Sequence, residues 1–96
     1  MNDITVTELK EKLDNNEDFL LLDVREPLEY EMYNIKARLI PLGTLQDQLA
    51  SLEEYKDKEL IIYCRSGNRS GQACMFLEQQ GFTDTVNLIG GMLKWS

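Results

Sequence analysis

The chain has 96 residues, of which 43% are hydrophobic, and a formal net charge of −7 with no histidine. This length suits one small domain over residues 1–96, and the negative charge disfavours nucleic acid and anionic membranes as partners. Two cysteines without histidine exclude a disulfide framework, a Cys–His or Ser–His catalytic pair and a tetrahedral metal site, so we expect neither a metal nor a cofactor.

The first half of the chain alternates between short apolar runs and helical patterns. It begins without a basic, apolar export leader and contains no run of ~20 apolar residues, so we expect a cytoplasmic protein without a membrane span. Residues 4–6 are predicted to form a strand, followed by a helix capped by Thr7. The apolar run "FLLLDV", 19–24, predicts a buried strand, and Pro27 suits the start of a second helix, before the short strand "RLIP".

The second half continues the alternation. Thr44 is predicted to cap a helix over 45–55, whose leucines at 45, 49 and 52 form one apolar stripe. The buried strand "ELIIYC" leads through "RSGNRS" into a helix over 71–80 that Gly81 ends, and "TVNLIG" and "GGMLKWS" supply a last strand and a closing helix or turn. This order predicts an α/β fold with three layers, α/β/α, and a mainly parallel central sheet of about five strands.

The segment "CRSGNRSG", 64–71, is the strongest candidate for a functional site. Cys64 falls at the carboxyl end of a predicted parallel strand, where such sheets bind ligands, and a tight loop entering a helix points backbone N–H groups inward. Lowering a cysteine pKa by two units needs roughly 2.7 kcal/mol, more than the ~0.3–1 kcal/mol of an exposed helix terminus, so loop amides and both arginines must contribute. The alternative is a simply buried cysteine, which is our prediction for Cys74.

Three segments resemble the rhodanese-like domains, a family of α/β sulfurtransferases. "CRSGNRS" resembles their active-site loop, "LLDVREPLEY" their second strand and helix, and "GFTDTVNLIGGMLKW" their closing segment. The resemblance implies that Cys64 is the catalytic nucleophile and that Asp23 and Arg25 form a supporting ion-pair network. It also implies that the loop binds the substrate, through Arg65, Ser66, Gly67, Asn68, Arg69 and Ser70.

The spacing of the loop bears on the reaction. The related cysteine phosphatases use CxxxxxR, whereas this loop is CxxxxR, and Ser70 stands where their arginine would be. The family implication is that the tighter loop fits a sulfur bonded to Cys64, which favours sulfur transfer from a small anionic donor such as thiosulfate to a thiol or cyanide. Arg65 is expected to attract the donor, and Arg69 either does the same or braces the loop on a carboxylate. Asp23 and Arg25, at the end of the second strand, are the candidates for that bracing.

Two further functions stay open beside this one. The first is a sulfur carrier whose Cys64 persulfide is loaded and unloaded by partner proteins, and the second is a phosphatase or arsenate reductase, which the loop length disfavours. The chain also departs from the family where "YNIKARLIPL" puts Tyr33 and Asn34 in place of Gly-His, so we expect a different local loop shape there.

Overall fold

The structure, a computed structural model that describes residues 1–95, is built on a five-stranded parallel sheet. The strands are Asn2–Ile4 (β1), Leu20–Asp23 (β2), Arg38–Leu39 (β3), Leu60–Tyr63 (β4) and Thr85–Leu88 (β5). Their order across the sheet is β1-β5-β4-β2-β3, and every neighbouring pair is parallel. The predicted α/β class with about five strands is confirmed.

Within residues 1–95, three α-helices and three 3₁₀ segments lie between or after these strands. The α-helices are Val6–Asp14 (α1), Pro27–Met32 (α2) and Asn68–Gln79 (α3), and the 3₁₀ segments are Leu42–Thr44, Gln46–Tyr55 and Gly91–Lys94. Ser96, the last residue of the predicted closing helix or turn, lies outside the described residues. None of the helices among residues 1–95 is long and apolar enough to cross a membrane.

The sheet is buried on both faces. Alternate residues of β4 point to opposite sides, so that Leu60 and Ile62 join one apolar cluster while Ile61 and Tyr63 join the other. All four are fully buried, as expected of a central parallel strand, and each of the three aliphatic side chains stabilises the fold by about 1.5–3 kcal/mol relative to exposure. The predicted stripe at positions 45, 49 and 52 packs against the first of these clusters.

The N-terminal boundaries differ from the prediction. The first strand ends at Ile4, and the helix cap is Thr5 rather than Thr7. The Thr5 hydroxyl accepts a hydrogen bond from the Glu8 amide, and the Glu8 carboxylate accepts one from the Thr5 amide. This reciprocal capping box satisfies two N–H groups that a start at Thr7 would leave unpaired.

Two later helix starts are corrected as well. Thr44 does not cap the following segment, because its hydroxyl donates to the Pro41 carbonyl, and residues 46–55 form a 3₁₀ helix. The helix after the cysteine loop begins at Asn68, three residues before the predicted start, because Gly67 takes a left-handed φ of 108° as its N-cap. The predictions for Pro27 at the first helical position and for Gly81 after the helix end are confirmed.

The carboxyl ends of β2 and β4 lie side by side and position the site. Asp23 pairs in register with Tyr63, and Cys64 is the next residue. The loop after β4 and the turn after β2 therefore emerge at the same edge of the sheet, which is where open parallel sheets bind ligands.

Candidate active site: the Cys64 loop

The sulfur of Cys64 lies at the floor of the loop that follows β4. The residue is only 1% exposed, yet its Sγ accepts hydrogen bonds from the amides of Gly67 at 3.1 Å and Ser70 at 3.4 Å. The Ser70 hydroxyl oxygen lies 3.4 Å from the same sulfur. The amides of the turn are therefore aimed at the buried sulfur rather than away from it.

This arrangement follows from the way the loop enters α3. The left-handed Gly67 reverses the chain, and its carbonyl accepts the Gly71 amide at 3.0 Å as the first bond of the helix. The amides of the first turn have no partner within the helix, so they remain free to point at the sulfur. The positive end of the helix dipole adds to their effect.

These contacts act on the ionisation of Cys64. Burial alone would raise its pKa, but hydrogen bonds from the Ser70 hydroxyl and from loop amides hold the pKa below its ordinary value. Cys74 provides the contrast within the same chain, since it is equally buried in α3 and burial raises its pKa to about 12. The predicted core position of Cys74 is confirmed, and what separates the two thiols is the set of donors around Cys64.

The two arginines of the loop have different surroundings. Arg69 donates to both carboxylate oxygens of Glu29 in α2, at 2.7 and 3.0 Å, so it braces the start of α3. Arg65 is exposed, and within the described residues it forms no ion pair. Of the other loop residues, Ser66 and Asn68 are also exposed, at the rim of the loop.

Asp23 and Arg25 form a buried ion pair beneath this edge of the sheet. The guanidinium Nε and Nη2 atoms of Arg25 donate to the Asp23 carboxylate at 2.8–3.1 Å, and the Arg25 amide donates to the same group. Arg25 also donates to the Tyr33 carbonyl at 2.7 Å. The pair thus holds the turn after β2 and the atypical Tyr33 segment, while the carboxylate that contacts Arg69 is Glu29.

Sequence reasoning missed Asn87, which lies in β5. Its side-chain nitrogen donates to the Gly67 carbonyl at 3.3 Å, and its side-chain oxygen accepts from the Ser70 hydroxyl at 2.5 Å. A half-buried asparagine in the middle of the apolar run "TVNLIG" was the available signal. Glu29, the partner of Arg69, was missed as well.

Gly91, the second of two consecutive glycines in the closing segment, packs against the backbone of the cysteine loop. Its φ is 53°, and an added Cβ would clash with the backbone of Cys64 and lie 2.7 Å from the Arg65 carbonyl oxygen. Because Gly91 has no side chain, the closing 3₁₀ segment can approach the loop closely. The amides of Met92 and Leu93 then donate to the Cys64 and Arg65 carbonyls, each at 3.0 Å. The loop is therefore held by the closing 3₁₀ segment as well as by α2.

A pocket of about 250 Å³ opens beside the loop. Its exposed apolar lining consists of Met32, Tyr33 and Leu93, which are 80%, 52% and 56% accessible, and Arg65 is the exposed cation of the lining. Nowhere in residues 1–95 do three or more cysteine, aspartate or glutamate side chains come together in a way that could hold a metal ion.

Fold and site together define an α/β protein with a cysteine held by amides at the carboxyl end of the central strand of a parallel sheet. The profile of the rhodanese-like domain matches residues 5–96, and the chain belongs to the rhodanese-like domain family. The family membership that the sequence resemblance indicated is thereby confirmed.

Individual relatives agree with this assignment. The chain is 38% identical to a sulfurtransferase of Allochromatium vinosum, covering 100% of this chain and 89% of that protein. It is 37% identical to the proposed sulfur carrier protein YrkF of Bacillus subtilis, over 98% of this chain and 50% of that protein. The solved structure of a rhodanese-like domain protein from Staphylococcus aureus superposes with a TM-score of 0.90 at 39% identity, covering 100% of this chain and 92% of the other.

Proposed function

We propose that this chain moves a sulfane sulfur from thiosulfate, or from a similar small anionic donor, to a thiol or cyanide acceptor through a persulfide on Cys64. The observation that carries the proposal is the pair of amides, from Gly67 and Ser70, that point at the Cys64 sulfur at 3.1 and 3.4 Å. Thiolate is the nucleophilic form of cysteine, and amide donors favour it. Both cysteines are unpaired, which suits a reducing, cytoplasmic site of action.

In the first step, the Cys64 thiolate attacks the outer sulfur of the donor. A bond forms between the two sulfurs while the bond between the donor's own sulfurs breaks, and the electron pair of that bond leaves with sulfite. Arg65 attracts the anionic donor, because it is the exposed cation at the mouth of the loop. No proton has to be removed from an ionised nucleophile, which fits a chain without histidine.

In the second step, an acceptor removes the outer sulfur. A thiolate acceptor forms a bond to that sulfur and becomes a persulfide, while the electron pair of the broken bond returns to Cys64 as thiolate; cyanide leaves as thiocyanate by the same route. Between the steps, the amides of residues 65–70 hold the terminal sulfur of the Cys64 persulfide. Arg69 positions this loop through Glu29 and does not need to contact the donor.

Phosphate chemistry fits the site less well. The residue in the position of the phosphatase arginine is Ser70, whose amide and hydroxyl face the Cys64 sulfur at 3.4 Å. Ser70 is fully buried, and the nearest arginine side chain on the helix is engaged by Glu29. A loop drawn in this tightly favours a single added sulfur atom over a tetrahedral oxyanion.

The test is the intact mass of the protein after treatment with thiosulfate. The wild type and Cys74→Ala, the matched control at the second cysteine, should each gain the mass of one sulfur atom that reducing agent removes. Cys64→Ser should gain none. Addition to Cys64→Ser, or loss of addition in Cys74→Ala alone, would transfer the reactive role to Cys74 and refute the proposal.

A second candidate is a sulfur carrier whose persulfide is exchanged with partner proteins. The observation that favours it is the apolar, exposed lining of the pocket beside the loop, since Met32, Tyr33 and Leu93 offer contacts that thiosulfate cannot use. One relative carries the name of a proposed sulfur carrier.

The two candidates are separated by comparing donors. Rapid turnover with thiosulfate and cyanide supports the first, whereas slow turnover combined with rapid loading from a protein persulfide supports the second. Met32→Gln should slow loading from a protein donor and leave thiosulfate turnover unchanged. Met75→Gln, at a residue that is 59% exposed on α3, is the matched control and should change neither rate.

A further inference from the structure

The hydroxyl of Ser70 has two neighbours that compete for one proton. Its oxygen lies 2.5 Å from the side-chain oxygen of Asn87 and 3.4 Å from the sulfur of Cys64. A hydroxyl carries a single donor and two acceptor lone pairs. Because the amide oxygen of Asn87 only accepts, the short bond takes the Ser70 proton while Cys64 is a neutral thiol, and it leaves a lone pair towards the sulfur.

The orientation of Asn87 is fixed from its other end. Its side-chain nitrogen donates to the Gly67 carbonyl at 3.3 Å. Turning the amide over would place two oxygens against each other at Gly67, so the observed orientation is the favourable one. Asn87 is half-buried in β5, and the neighbouring strand register pairs it with Ile62, two residues before Cys64.

The state of the sulfur decides which Ser70 orientation is favourable. A neutral thiol donates its proton to Ser70, which matches a Ser70 hydroxyl turned towards Asn87. A thiolate needs a donor, which requires the Ser70 proton to leave Asn87 and turn towards the sulfur. Asn87 therefore competes with the thiolate for the same proton.

We propose that Asn87 is a positioning residue that, through its hydrogen bond to Ser70, sets whether the Ser70 hydroxyl accepts from the Cys64 thiol or donates to the thiolate. The inference rests on the proposed role of Cys64 as the nucleophile. Asn87 does not touch the reacting atoms. It holds the thiolate back from its full stabilisation, and its second hydrogen bond, to the Gly67 carbonyl, fixes which end of its amide faces Ser70.

The test is a double-mutant cycle on the ionisation of Cys64. Four proteins are compared: the wild type, Asn87→Leu, Ser70→Ala, and the two substitutions together. The pH dependence of alkylation at Cys64, read peptide by peptide in a mass spectrometer, gives its pKa separately from that of Cys74. The charged groups around the loop, Arg65, Arg69 and Glu29, are unchanged in all four proteins.

Removing Asn87 frees the Ser70 proton for the sulfur. We expect Asn87→Leu to lower the Cys64 pKa by about 0.5–1 unit, a roughly three- to tenfold change in the ionisation constant, as one net hydrogen bond provides. In the Ser70→Ala background the same substitution should leave the pKa unchanged, and Ser70→Ala alone should raise it. Asn87→Ala serves the same purpose if the leucine variant does not fold.

A rise in the Cys64 pKa on Asn87→Leu, or an equal shift with and without Ser70, would overturn the proposal, because Asn87 would then act on the loop in general. The readout involves no sulfur donor. A cycle that fails while thiosulfate still adds one sulfur to Cys64 therefore refutes the role of Asn87 and leaves the proposed function standing. If the double-mutant cycle gives the expected pKa shifts but thiosulfate adds no sulfur to Cys64, the role of Asn87 stands and the proposed function is refuted.

Discussion

Arg69 and Glu29 form a two-pronged ion pair that joins the first turn of α3 to α2. The guanidinium Nη1 and Nη2 atoms lie 2.7 and 3.0 Å from the two carboxylate oxygens. Such parallel bonds fix both the distance and the plane of the side chain. Arg69 is thereby committed to holding the loop in place, and in the proposed function it is Arg65 that attracts the anionic donor.

The ion pair predicts a pH-dependent contribution to stability. The hydrogen bonds from Arg69 lower the pKa of Glu29 from 4.5 to about 2. A carboxyl whose pKa is lower in the folded chain stabilises the fold above the unfolded value, and that contribution disappears between pH 4.5 and about 2. We expect Glu29→Gln to lower the free energy of unfolding at neutral pH by about 1–2 kcal/mol, discounted because the pair is partly exposed to solvent.

Denaturant unfolding across this pH range measures the effect. The curves of the wild type and Glu29→Gln should converge as the pH falls. Glu31→Gln, on the same helix, removes an equal charge at an exposed residue that takes part in no ion pair among residues 1–95, and it should leave the unfolding free energy nearly unchanged. A gap between wild type and Glu29→Gln that stays constant down to low pH would contradict the assignment.

Arg65 should affect the reaction without affecting the fold. We expect Arg65→Gln to lower kcat/KM for thiosulfate by about tenfold and to weaken its dependence on ionic strength, since an exposed cation acts mainly by attracting the anion. Lys36→Gln, which removes the same charge at another exposed position, should change kcat/KM little. Equal losses in the two variants, measured by steady-state kinetics at several salt concentrations, would show that only the overall charge matters.

Gly91 should tolerate no side chain. A Cβ there would meet the backbone of Cys64 and Arg65 while φ stays at 53°, so we expect Gly91→Ala to destabilise the fold by about 1–3 kcal/mol and to displace the loop. The displaced amides would then stabilise the thiolate less, so the pKa of Cys64 should rise. Thermal unfolding and the pH dependence of alkylation measure the two effects.

Gly43 is the matched control for this substitution. An added Cβ at Gly43 has no neighbour within 4 Å, and its backbone is not left-handed. Gly43→Ala should therefore change the unfolding free energy by no more than about 0.5 kcal/mol. If Gly91→Ala changed the unfolding free energy as little as Gly43→Ala, this result would contradict the close packing of the closing segment against the loop.

The parallel sheet and the place of the cysteine loop were predictable from the sequence for a local reason. Continuous apolar runs such as 19–24 and 60–63 identify strands buried on both faces, and the glycines of the loop identify its turn. The helix starts were harder to predict, because several neighbouring residues could each serve as the N-cap. Glu8 supports a cap at Thr5, but Thr7 offers an equally good side chain until the backbone is known.

The partners of the loop were not predictable, because they come from distant strands and helices. Asn87 reaches Ser70 only because β5 pairs with β4 in the register that sets Asn87 opposite Ile62. Glu29 meets Arg69 only because α2 packs beside the start of α3, 40 residues further along the chain. From the sequence, we expected Asp23 and Arg25 to supply the bracing of the loop. These two residues pair with each other instead, and the carboxylate that Arg69 contacts belongs to Glu29.

The pKa of Cys64 tests most directly whether the loop amides hold its sulfur as a thiolate. Alkylation rates at Cys64 and Cys74, measured in one protein over a range of pH, separate the two thiols. We expect Cys64 to ionise below the ordinary cysteine value of about 8.5, and Cys74 to stay protonated to about pH 12. A Cys64 that titrates at or above the ordinary value would contradict this account, since the amides would then fail to offset the cost of burial.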